Sequence, residues 1–108
     1  MKKEYAISIE IQSELIDRAN IFSEKHLKNG HSFIPDARGK FIYVRLLRPD
    51  EFVESLGRLT YTGDKEKMAF AIFLYSSEKY SFDFFPGNEY LDGTLEGALK
   101  AIMKAYDL

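Results

Sequence analysis

Between Phe41 and Leu47 every second side chain is aliphatic: Ile42, Val44 and Leu46 hold one phase, and Phe41, Tyr43, Arg45 and Leu47 hold the other. Side chains of a strand alternate between faces, so this run predicts a strand with two chemically different sides. Residues 56–62 repeat the pattern, with Leu59 and Tyr61 opposite Arg58, Thr60 and Thr62. Residues 68–75 are apolar in both phases, which predicts a central strand. Residues 80–85 read as a further strand. Polar turns at 63–67 and 76–79 separate these runs, so they read as neighbours in an antiparallel meander.

The ends of the chain have a different period. Residues 13–28 place Leu15, Ala19, Phe22 and His26 on one helical stripe, widened by Ile16 and Leu27, with Ser13 as the expected cap and Asn29-Gly30 as the stop. Residues 95–106 place Leu95, Ala98, Leu99, Ile102, Met103 and Tyr106 on another, capped by Asp92 or Thr94. Residues 5–11 alternate, with Tyr5, Ile7, Ile9 and Ile11 on one side, and predict a first strand unless they extend the helix. Pro49-Asp50-Glu51 suits a loop or a short helical turn, and Pro86-Gly87 a type II turn. The expected fold is α+β: an antiparallel sheet of three to five strands with an N-terminal and a C-terminal helix packed on it, in a single domain over residues 1–108. Its expected core holds Ile42, Val44, Leu46, Leu59, Tyr61, Phe70, Ile72, Leu99 and Ile102.

Composition excludes more than it assigns. The 108 residues include no cysteine, which removes disulfides, iron–sulfur ligation, thiolate zinc sites and thiol nucleophiles. A small domain without staples suits a reducing compartment, so the expected location is cytoplasmic. Met1-Lys2-Lys3 resembles the start of a signal peptide, but Glu4, Ser8 and Glu10 interrupt the apolar run that should follow. No stretch approaches the ~20 apolar residues of a membrane span. A net charge of −2 argues against nonspecific nucleic-acid binding.

Candidate chemistry is thin. His26 and His31 are five residues apart, with Asn29-Gly30 between them, so they do not form a helical metal pair, and no metal or cofactor is expected. There is no nucleophile elbow and no phosphate-binding glycine loop. Asp50/Glu51 and Asp83/Glu89 are the kind of carboxylate pairs that a chain with 17 acids always offers. The segment Asp92-Gly93-Thr94-Leu95-Glu96-Gly97 could face an anion at a helix N-terminus, but its own acids favour capping. Gly97, inside the first helical turn, predicts the close approach of another backbone or an aromatic ring.

Arginine placement is more informative. Four of the five arginines, Arg38, Arg45, Arg48 and Arg58, lie within residues 38–58, interleaved with Phe41 and Tyr43. The candidate contact face is Phe41, Tyr43, Arg45 and Arg58, joined by Phe73 and Tyr75 from the neighbouring strand. Aromatics with arginine are the types enriched where proteins meet. The first expectation is therefore a small binding or interaction module without cofactor, and a homodimer. The first helix or a second copy would cover the face. The alternative is a single-stranded nucleic-acid binder using the same face, and a third possibility is a hydrolase-like enzyme with a carboxylate site that the sequence does not locate. The order helix–strands–helix resembles that of double-stranded-RNA-binding domains, but the lysine-rich start of their second helix is replaced here by Gly93-Thr94-Leu95-Glu96.

Arg58-Leu59-Thr60-Tyr61-Thr62-Gly63-Asp64, Phe70-Ala71-Ile72-Phe73-Leu74-Tyr75-Ser76, Tyr80, and Asp92-Gly93-Thr94-Leu95-Glu96-Gly97-Ala98 together resemble a small family of uncharacterised bacterial proteins. The resemblance spans residues 40–106 and implies a stand-alone bacterial-type domain. It implies no activity, ligand or site residue.

Overall fold

The computed structural model describes residues 6–28 and 30–108. Helix α1 (Ile9–His26) precedes strands β1 (Ser32–Arg38), β2 (Phe41–Leu47), β3 (Val53–Thr60), β4 (Ala69–Leu74) and β5 (Lys79–Ser81). A single 3-10 turn (Asn88–Tyr90) leads into helix α2 (Leu95–Tyr106). The five strands pair antiparallel in sequence order, so the fold is α+β as expected. Ile42, Val44, Leu46, Leu59, Tyr61, Phe70, Ile72, Leu99 and Ile102 are all buried, in one cluster with Leu15, Ala19 and Phe22 of α1. Both helices therefore lie on the same side of the sheet.

Helix α1 starts four residues earlier than its expected cap. Tyr5 lies outside the described residues, and Ile9 and Ile11 are helical rather than extended. Ser8 is the cap: its Oγ accepts from the Ile11 N–H at 3.2 Å. Ile7, Ile9 and Ile11 satisfy both periods in the sequence. Burial of Ile7 and partial burial of Ile11, with Ile9 left 79% exposed, show that the helical one wins. The stripe also shifts: Ile16 is exposed, and Ser23 takes the buried position. The Ser23 Oγ donates to the Ala19 carbonyl and accepts from the Phe33 N–H at 2.9 Å, which ties α1 to β1.

Strand β1 has no counterpart among the expected elements. Pro35 lies in its middle and pairs with Val44. Proline lacks a donor, so it reads as a strand breaker, but on an edge strand it interrupts hydrogen bonding on one side only. Strand β3, not β4, is the middle strand. β4 is apolar on both faces because its outward Ala71 is buried without any helix on that side. The last strand is short: only Lys79–Ser81 pairs with β4, and beyond it Phe82 and Phe84 are exposed. Phe85 turns inward, 5.9 Å from the Phe70 ring. The Asn88 N–H then bonds the Phe85 carbonyl at 3.0 Å with Gly87 at φ +110, the turn that Pro86-Gly87 called for.

Thr94 caps α2 through the Gly97 N–H at 3.0 Å, and Asp92 in turn accepts from the Thr94 N–H. A Cβ at Gly97 would lie 2.2 Å from Asp92 Oδ1 and 2.7 Å from the Tyr90 carbonyl. The close neighbours are thus backbone and a capping carboxylate, not an aromatic ring.

Candidate functional site

The side of the sheet away from the helices carries the residues singled out by their phase. Tyr43 pairs with Arg58, Arg58 with Ala71, and Phe73 with Tyr80. The register thus brings Phe41, Tyr43, Arg45, Arg58 and Phe73 onto one surface. Phe41 and Tyr43 lie 6.0 Å apart between ring centroids, Tyr43 and Tyr80 5.7 Å, Tyr80 and Phe73 5.0 Å, and Phe73 and Tyr75 4.8 Å. These rings form a ladder across β2, β5 and β4. They lean on one another at 56–84° instead of lying flat, the arrangement that aromatic quadrupoles favour. Helix α1 covers none of it, so that expected cover is corrected: the aliphatic phase of β1 and β2 already occupies the helix.

The two predicted arginines have different surroundings. Arg45 lies 5.8 Å from the Tyr43 ring and pairs with Asp36 at 2.7 Å. Arg38 pairs with the same Asp36 oxygen at 3.0 Å. The hydrogen bond from Arg45, then that from Arg38, holds the Asp36 carboxyl below the usual aspartate range. Arg58 lies between two rings, 4.3 Å from Phe41 and 4.8 Å from Tyr80. Its Nε is buried without a hydrogen-bond partner, and no described carboxylate forms an ion pair with it. Lys40, in the β1–β2 turn, adds a fourth cation 5.4 Å from the Phe41 ring.

Tyr80, Lys40 and Asp36 were not among the expected face residues. Tyr80 was legible as a strand residue, but its partner depends on register, which the sequence does not print. Asp36 was hidden with β1.

At the other end of the ladder β3 and β4 part. Their pairing stops at Gly57↔Ile72, just past a bulge that makes Leu56 the extra residue opposite Val44 and Arg45. Two tyrosines satisfy the carbonyls left over. Tyr75 donates to Ser55 O at 2.6 Å, and Tyr106 of α2 donates to Phe73 O, with Leu56 O 3.5 Å away. Burial, with Tyr75 and Glu54 nearby, pushes the Tyr106 hydroxyl up to about 12. A cleft of about 590 Å³ opens here, lined by Phe52, Val53, Glu54, Ser55, Phe73, Tyr75 and Glu78.

The remaining candidates do not converge. The His26 ring packs 4.2 Å from Phe22, and His31 bonds the Lys28 carbonyl through Nδ1. Among the described residues no three His, Asp or Glu side chains cluster as a metal set. The displaced carboxyls, Glu14, Asp36, Asp92 and Glu96, are all held below their ordinary range by ion pairs or capping contacts. A general acid needs the opposite shift. Arg18 gathers Glu14, Glu66 and Glu96, and Lys65 reaches Glu14, which ties α1, the β3–β4 turn and α2 together. No helix in the described residues is long and apolar enough to cross a membrane. A comparison with family models, curated proteins and solved structures found no match to the chain.

Proposed function

We propose that the chain is a small binding module that works without a cofactor, with the open face of its sheet as the contact surface. The observation that carries this is Arg58, set against the Phe41 and Tyr80 rings with a buried, unpartnered Nε and no ion pair to a carboxylate of the described residues. Two cation–π contacts contribute roughly 0.5–1 kcal/mol each at such a site. An unsatisfied buried donor costs about 1–3 kcal/mol. The two nearly cancel, so folding alone gives little reason for a guanidinium there, whereas an arriving oxyanion would use it. The absence of cysteine supports work in the reducing cytoplasm.

A second copy of the chain is one occupant of the face. Its charge speaks against a two-fold axis at the Phe41 end, which would set Arg38, Lys40, Arg45 and Arg58 against the same four cations. Light scattering on the wild type and on Tyr43→Glu reads this directly: a wild-type dimer that Tyr43→Glu dissociates makes the partner a second copy. The module itself is tested by urea unfolding of Arg58→Met. Stability should stay within about 0.5 kcal/mol of wild type or rise, as when a residue held for function is replaced. A loss above about 1.5 kcal/mol would make Arg58 structural cement and remove the main support for this function.

A further inference from the structure

We infer that the partner of this face is single-stranded nucleic acid, its phosphates at the Arg38, Lys40 and Arg58 end of the ladder and its bases against Phe41, Tyr43 and Tyr75. The inference rests on the open face being a contact surface. Its first support is charge. Arg38, Lys40, Arg45 and Arg58 gather around the ladder, and Asp36 is the described carboxylate that pairs with any of them. Four cations with one described carboxylate paired among them at the Phe41 end, on a chain whose net charge is −2, is a local excess that calls for an anionic partner.

The second support is the geometry of Arg58. The Phe41 and Tyr80 rings hold the guanidinium in place with its Nε buried, which leaves the terminal N–H groups to donate to phosphate oxygens. The third is the run of rings. Phe41, Tyr43, Phe73 and Tyr80 are each part-exposed, Tyr75 is 52% exposed, and the run reaches from β2 over β3 to β4 and β5. Unpaired bases offer flat π-faces to such a surface, whereas the bases of a duplex are already stacked and out of reach. Polarity follows from the two ends. Cations with no ion pair among the described residues lie beside Phe41, whereas the cleft beside Tyr75 holds Glu78 and the Arg48–Glu54 ion pair, so the charge that draws phosphate is at the Phe41 end.

The test is fluorescence anisotropy of the full chain with labelled single-stranded dT and rU 12-mers and a 12-base-pair duplex. The single strands should bind, and the duplex at least tenfold more weakly. With three phosphates neutralised, affinity should fall about 20-fold between 50 and 200 mM salt. Arg58→Gln and Tyr43→Ala should each cost about tenfold or more while the far-ultraviolet circular dichroism is retained, and Lys104→Gln on α2 should bind as wild type. Equal binding of duplex, or full affinity in both face variants, would overturn the inference by placing the contact elsewhere. So would binding of labelled polyglutamate in place of the oligonucleotides, which would make the partner an acidic protein. Absence of oligonucleotide binding at either salt would also overturn it. That result would leave the binding module itself to stand or fall on the stability of Arg58→Met.

Discussion

Tyr106→Phe removes one oxygen atom at the point where β3 and β4 separate. In the native chain that hydroxyl donates to Phe73 O and lies 3.5 Å from Leu56 O, two carbonyls just past the point where β3–β4 pairing stops at Gly57↔Ile72. Phenylalanine keeps the ring and its packing, so the change isolates the hydrogen bond. An acceptor stranded in a buried position costs about 1–3 kcal/mol. Tyr106 is only partly buried, which lets water relieve some of that, so the expected loss is about 1–1.5 kcal/mol. For a chain of this size that corresponds to a fall in Tm of roughly 4–8 °C.

The pH dependence gives a second handle. The folded hydroxyl titrates at about 12, above the ordinary tyrosine value of 10.0, so the folded state holds this proton more tightly than the unfolded one. Its contribution is complete below pH ~10 and is lost as pH rises towards 12. Urea unfolding followed by circular dichroism at pH 8 and pH 11 should show wild type and Tyr106→Phe separated at the lower pH and converging at the higher. A difference under about 0.5 kcal/mol at pH 8, or a gap that holds constant to pH 12, would refute the assignment of this hydroxyl as the link between α2 and the split strands.

Two further outcomes follow from the packing. Gly57→Ala should destabilise by about 1–3 kcal/mol in urea, since its Cβ would lie 2.3 Å from Phe70 Cζ and 3.0 Å from Ala71 O; a neutral result would mean that the Phe70 ring moves aside freely. Glu96→Gln should lower stability at pH 7 by up to about 1 kcal/mol and match wild type once the pH lies below the lowered range of the Glu96 carboxyl. The Arg18 hydrogen bond holds the Glu96 carboxyl below its ordinary range, so its stabilisation exists above that range and is lost as pH falls through the folded value. An unchanged difference at low pH would count against the Arg18 network.

Some of this molecule is written in local periods. Ile42/Val44/Leu46 and Leu95/Leu99/Ile102 each need one buried side, and period alone tells which side that is. The turn at Pro86-Gly87 and the cap at Thr94 are equally local, because both depend on dihedral preferences and on bonds three residues apart. Two local signals misled for physical reasons. Ile7, Ile9 and Ile11 fit two periods at once, and only the position of the core separates them. Pro35 argues against a strand until its place at the edge of the sheet is known.

What the tertiary structure alone decided is how the faces are shared and what meets across them. Phase put Phe41, Tyr43 and Arg45 on one side of β2 and offered Arg58, Phe73 and Tyr75 as companions, but only strand register brought these together and set Arg58 beside Phe41 and Tyr80, and β1 brought Asp36 to Arg45 and Arg38. Both helices bury their stripes on the aliphatic side, which leaves the aromatic side open. A side chain's phase follows from neighbours two to four residues away. Its partners across the sheet come from other strands, as Tyr80 does for Arg58 and Asp36 for Arg45, and only the folded chain brings those together.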